Sequence, residues 1–259
     1  MFYLTNNFHV FQMKKIFWIL GIGLLALIIA VVTAVGVYIG PIVKIGMEEI
    51  GPKITQVSIK VDVVNVSLLT GTARVQGLIV GNPGGYKLPE AIKAGTVDVS
   101  VDPFSVLSSK IIVHSVQIRS PEITFEGGIR GNNLSKIMDN VNAHKNEADN
   151  KPAPKMEVDD FLITGAKVHV SLTGLVSKEM TLPLPDIHLT DLGKGSNGLT
   201  PVELTRAVLD AIVSDTIKAV THAVTEVGRG AENIGKGTGK TVGEDINRLS
   251  NSIGGLFGK

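Results

Sequence analysis

The apolar positions of this chain fall into three regimes. From Ile16 to Ile39 they are continuous, 24 residues without a charge. At about 1.5 Å of rise per residue this run reaches roughly 36 Å, enough to cross a hydrocarbon core of about 30 Å. Lys14 and Lys15 precede it. Positive residues beside a span tend to stay in the cytoplasm, which sends everything after Gly40 to the far side. Trp18 and Tyr38 suit the two interfaces. The competing expectation is a cleaved signal peptide, but the run exceeds the usual apolar stretch of about 7 to 15 residues and no small-x-small site follows it. Residues 1–15 then form a short cytoplasmic tail, with Met13 as an alternative start.

Beyond the anchor the period changes to two. Pro41 to Ile50 first reads as a short helix stopped by Gly51-Pro52. Then Val57, Ile59, Val61 and Val63 alternate with polar residues, and Val64, Val66 and Leu68 alternate in the opposite phase, so a bulge or bend is expected near Val63. The run Thr72 to Val80 closes on Gly81-Asn82-Pro83-Gly84-Gly85, a dense turn signal. Val97 to Val101, Ile111 to Ile118 and Glu122 to Glu126 complete what reads as an antiparallel meander. A polar helical segment from Gly131 to about Ala143 leads into a charged, proline-containing linker, 146–155. Strand patterns return at Met156 to Ile163, Ala166 to Leu172, Val176 to Leu182 and Asp186 to Leu192, where Pro183 and Pro185 favour an edge.

In the third regime the period is helical. Thr200-Pro201-Val202-Glu203 has the form of a capped helix start, and Leu204, Val208, Ile212, Ile217, Val220 and Val224 carry it to about Val227. The glycine-rich remainder, 228–259, reads as a partly ordered tail. The expected fold is mainly β: an N-terminal transmembrane helix (16–39), a curved antiparallel sheet, groove-like or sandwich, with short helices (40–145 and 156–199), and a C-terminal helix (200–227).

Composition adds few chemical prospects. There is no cysteine, hence no disulfide framework and no thiolate site. Twenty-five basic and 24 acidic residues are spread without a basic stripe, which gives nucleic-acid binding no support. Gly235 to Thr241 ends like a phosphate-binding loop but has Ile234 where the leading glycine belongs. The histidines at 9, 114, 144, 169, 188 and 222 lack helical metal-ligand spacing, so no metal is expected and His114, His169 and His188 are assigned to polar sheet positions. Asp98 with Asp102, and Asp159 with Asp160, are carboxylate pairs without a nucleophile or cation nearby in sequence. Neither an enzyme nor a cofactor is expected.

The order of motifs carries a resemblance. Gly71 to Val75, Leu78 to Tyr86, Val97 to Asp102, Ser105 to Leu107, Ile111 to Ile118, Ser120 to Glu126 and Asn132 to Ile137, following an anchor and a short helix, resemble the AsmA-like family of bacterial envelope proteins over roughly residues 14 to 140. That resemblance implies a single-pass inner-membrane protein with a periplasmic sheet, related to bridge-like carriers of phospholipid, with a role in envelope lipid homeostasis, lipid transport or outer-membrane biogenesis. The chain is shorter than such carriers, so a stub, an adaptor or one protomer of an oligomer is an equally open role. An apolar sheet face made of Val97, Val99, Val101, Ile112, Val116, Ile118, Ile123 and Phe125 would shield acyl chains. The same residues would otherwise form an ordinary core beneath the helix from Pro201. In that case the body is a non-catalytic structural or protein-interaction module tethered to the membrane, with envelope proteins as its partners.

Overall fold

Alternation of apolar and polar residues is lost at one shared level in every line of the sheet, and this shared slip shapes the molecule. The computed structural model describes residues 22, 26–27, 38–129, 131–143, 154–172, 180–195 and 197–235, the last nine as backbone only. Ten strands form one mixed sheet: β1 (Ile59–Lys60), β2 (Val63–Ser67), β3 (Thr72–Gly81), β4 (Glu90–Val101), β5 (Lys110–Arg119), β6 (Glu122–Gly127), β7 (Lys155–Thr164), β8 (Lys167–Leu172), β9 (Met180–Pro183) and β10 (Ile187–Leu192). Among the described residues three α-helices of two turns or more accompany it, α1 (38–55), α2 (Asn133–Ala143) and α3 (Pro201–Gly235), with a short 3-10 helix at Ser105–Leu107.

Register reduces the ten strands to six lines. β1 and β2 follow one another along β3, β5 and β6 along β4, β7 and β8 along β5 and β6, and β9 and β10 along β8 and β7. On one side of the slip, Val64, Val75, Val97, Ile118, Ile163 and Ile187 lie opposite each other from line to line. On the other side, Ile59, Val80, Ile92, Ile123, Val168 and Leu182 do the same. The two rows are an odd number of residues apart on every line, so strict alternation would place them on opposite faces.

Each line absorbs one extra residue between the rows: Asp62, Gly77, Gly95, Ser120, Gly165 and Pro185. Gly77, Ser120 and Gly165 do so with φ of 64°, 49° and 62°, the left-handed region. The result is a row of mutually aligned irregular residues that crosses the sheet without a change of register and brings both apolar rows to one face. The slip expected near Val63 is the first member of this row.

All three helices pack on that face. Met47 of α1 joins Val61, Val64, Val75, Ala94 and Val97. Leu134, Ile137 and Val141 of α2 and Val202, Leu209, Ile212, Val213, Val220 and Val224 of α3 share a larger cluster with Ile123, Phe125, Phe161 and Val168. The expected start of α3 is formed as read. Glu203 N–H donates to Thr200 Oγ1 at 3.2 Å and Thr200 N–H donates to Glu203 Oε2 at 2.7 Å, a reciprocal cap.

Several expectations are corrected. The sheet is mixed: β7 runs parallel to β5 and β8 parallel to β6. A parallel neighbour needs a crossover of a dozen or more residues, and α2 with the segment after it supplies that length. One sheet covered by helices replaces the sandwich alternative among the described residues. The first helix does not stop at Gly51-Pro52 but continues to Thr55, whose Oγ1 donates to Gly51 O at 2.9 Å. Gln56, at φ 55°, then ends it. β4 starts at Glu90 rather than Val97, and α3 runs past Val227 to Gly235. Most of the expected span, 16–39, lies outside the described residues, as do residues 1–15, Val176 to Glu179 and 236–259. Among the described residues no helix is long and apolar enough to cross a membrane.

Candidate functional site

The two faces of the sheet present opposite chemistry. Of the residues expected to form an apolar groove, Val97 is buried, and Val99, Val101, Val116 and Ile118 are half-buried on the helix-covered face, where the clusters under α1 and α3 meet. Ile123 and Phe125 lie wholly beneath α2, at 1% and 0% exposure, and so are core.

Ile112 belongs to the opposite face. Val99 pairs with Val116 but Val101 pairs with Val113, so His114 is an extra residue that shifts the phase of β5. Ile111 and Val113, not Ile112, therefore reach the apolar cluster. Asp159 and Asp191 occupy the same level on β7 and β10, Asp191 with φ of 57°.

The other face opens as a cleft of about 880 Å³ over β2 to β5. Its lining is mixed: Asn65, Arg74, Asp98 and Gln117 lie in one cross-strand row and Ser67, Thr72, Ser100 and Ser115 in the next, while Val64, Val66, Val99 and Gly40 of α1 add apolar surface beside them. Arg74 Nε donates to Asp98 Oδ1 at 2.6 Å, and Arg119 Nη1 donates to Asp98 Oδ2 at 2.9 Å. Arg119 Nη2 also donates to Gln117 Oε1 at 2.9 Å. The hydrogen bond from Arg74, with the positive charge of both guanidiniums, holds Asp98 below the ordinary carboxylate range. Both arginines remain more than half exposed, so they keep donors free for a polar partner. Asp102 does not join Asp98; its Oδ1 accepts from Phe104 N–H at 2.9 Å in the next turn.

Farther along this face, His114 Nδ1 lies 3.1 Å from Asp159 Oδ2 and His188 Nε2 lies 2.5 Å from Asp160 Oδ1. The two acidic neighbours thus serve two separate imidazoles. His169 pairs with Thr181 Oγ1 at 3.1 Å. Among the described residues no three histidines or acids converge as metal ligands.

The motif residues Asn82, Glu126, Asn132 and Asn133 have a structural role. Glu126 accepts from Lys87 N–H at 2.7 Å, Leu88 N–H at 3.0 Å and Asn82 Nδ2 at 3.3 Å. Asn133 Nδ2 donates to Asn82 Oδ1 and Thr124 O, while Asn133 Oδ1 accepts from Glu126 N–H. Asn132 caps α2 by accepting from Ser135 N–H at 2.8 Å. This buried knot ties the loop after β3 to the corner between β6 and α2, and its polar atoms are used in holding that corner.

Sequence reasoning missed the Arg74–Asp98–Arg119 arrangement because its members come from three strands. A signal was present, since Arg74, Asp98 and Gln117 are each flanked by apolar residues and so share the polar phase. No family model matches this chain, and no curated protein is similar to it.

Proposed function

We propose that this chain is a membrane-tethered, non-catalytic envelope protein of the AsmA-like kind, held in a bacterial inner membrane with its body in the periplasm. Its role is in envelope lipid homeostasis or outer-membrane biogenesis, served by docking protein partners rather than by carrying acyl chains along its sheet. The observation that supports docking is the packing of α1, α2 and α3 on the apolar face, while the open cleft carries the exposed Arg74–Asp98–Arg119 group. An acyl chain gains by leaving water for an apolar surface. A floor of Arg74, Asp98, Gln117 and Arg119 offers hydrogen bonds and charge instead, which suit a polar protein segment. The carboxylate in that floor is engaged by two guanidiniums, an arrangement that suits recognition more than proton transfer.

Lipid carriage is the second reading, and the half-buried strip Val99, Val101, Val116 and Ile118 favours it. Lipid extraction and mass spectrometry of the full chain, washed in mild detergent, separates the two. Docking predicts no phospholipid retained at one per chain. A stoichiometric phospholipid that is lost in Val116→Asp would turn the conclusion to carriage.

A further inference from the structure

We infer that one end of the sheet, bearing Leu69, Phe104 and Leu107, is a membrane-contacting surface that seats these side chains at the acyl-headgroup boundary of a phospholipid bilayer. The three are 84%, 87% and 94% exposed, the most exposed large apolar residues among those described. Single exposed apolar residues are ordinary on a protein surface, whereas several at one end mark an interaction site. Here they share an end. Leu69 lies in the turn between β2 and β3, and Phe104 and Leu107 lie in the turn between β4 and β5. The turns touch, since Val101 N–H donates to Gly71 O at 2.6 Å and a Cβ on Gly71 would stand 3.0 Å from the Pro103 ring.

The second turn is also built rather than loose. Asp102 Oδ1 accepts from Phe104 N–H at 2.9 Å, Ser105 Oγ donates to Asp102 O at 2.7 Å, and Ser108 Oγ donates to Ser105 O at 2.7 Å. These bonds fix Phe104 and Leu107 outward against the tendency of apolar groups to turn inward.

The direction of α1 identifies the occupant. Gly40 lies against Val64 O, Lys44 Nζ donates to Asp62 O at 2.9 Å, Glu48 Oε1 accepts from Val61 N–H at 2.9 Å, and Gly51 lies against Ile59. The helix therefore runs antiparallel to β1 and β2, and its first turn points to the end where Leu69 lies. The charge-free stretch Ile16 to Ile39 joins the body at that same end. Tyr38, in the first turn of α1, is also exposed. A bilayer holding that stretch is the surface next to these turns, so the inference rests on the tether in the proposed function.

The test uses the full chain in phospholipid vesicles carrying bromines at shallow acyl positions. Trp18, the only native tryptophan, reports the tether. Phe104→Trp, Leu107→Trp and Tyr86→Trp, each combined with Trp18→Phe, report the two turns and the opposite end of the sheet. The bromolipids are expected to quench the indoles of Phe104→Trp and Leu107→Trp by more than half and to leave that of Tyr86→Trp at full intensity. If Trp18 is quenched while Phe104→Trp and Leu107→Trp behave like Tyr86→Trp, the tether stands and membrane contact by the turns is overturned. Shielding of both turn indoles from aqueous acrylamide without bromolipid quenching overturns it in favour of a protein occupant. An unquenched Trp18 together with unquenched turn indoles removes tether and contact alike.

Discussion

Phe125 is where the two roles of the apolar face part most clearly. It is fully buried under α2, in one cluster with Leu134, Ile137 and Val141. Phe125→Ala removes a whole ring from a packed site and is expected to cost about 3–5 kcal/mol through lost transfer energy and the cavity left behind. For a body of this size, where 1 kcal/mol shifts the melting point by about 2–4 °C, that is a fall of roughly 6–20 °C. Val116→Ala supplies the contrast, because Val116 is half-buried in the strip between the two clusters and loses about 1 kcal/mol. Thermal and urea unfolding of the full chain in nanodiscs, followed by circular dichroism, measures both. A loss below 1 kcal/mol for Phe125→Ala would refute the reasoning, since it would mean that the ring lines an open wall rather than a filled core.

Two further outcomes test the local arguments. Gly77 combines φ of 64° with an added Cβ only 2.0 Å from Asp62 Oδ2, so Gly77→Ala is expected to lower stability by about 1–3 kcal/mol in urea titration. At the start of α3, the hydrogen bonds from Thr200, first its N–H and then its hydroxyl, hold Glu203 below its ordinary value of 4.5. A depressed carboxylate stabilises the fold above its unfolded value, and that contribution is lost as pH falls through the folded one. Thr200→Ala is therefore expected to cost about 1 kcal/mol near neutral pH and less in acid, with the Glu203 carboxyl titrating higher by NMR.

How much was legible depended on the reach of each signal. The capped helix at Thr200 was readable because its determinants lie within four residues. The phase slip near Val63 was visible locally, but its recurrence at Gly77, Gly95, Ser120, Gly165 and Pro185 emerges only when the lines are aligned. Ile112 went to the wrong face for a related reason: the extra residue at His114 breaks alternation in the middle of an apolar run, where no glycine or proline marks it. Parallel pairing of β5 with β7 was hidden because the segment joining them carries no direction signal. The arginines that grip Asp98 are 24 and 21 residues away in sequence, beyond any local motif. Asn82 and Asn133 stood out as turn and helix-start residues, yet their contact spans 51 positions.

The central claim, that the cleft face meets protein while the apolar face is closed, is tested most directly at two neighbouring positions of β5. Val116 points beneath the helices and Gln117 into the cleft. With a photo-reactive amino acid at each position in turn and irradiation in living cells, the account predicts discrete protein adducts from Gln117. From Val116 it predicts internal cross-links only. Phospholipid adducts from Val116, with none of protein from Gln117, would contradict it.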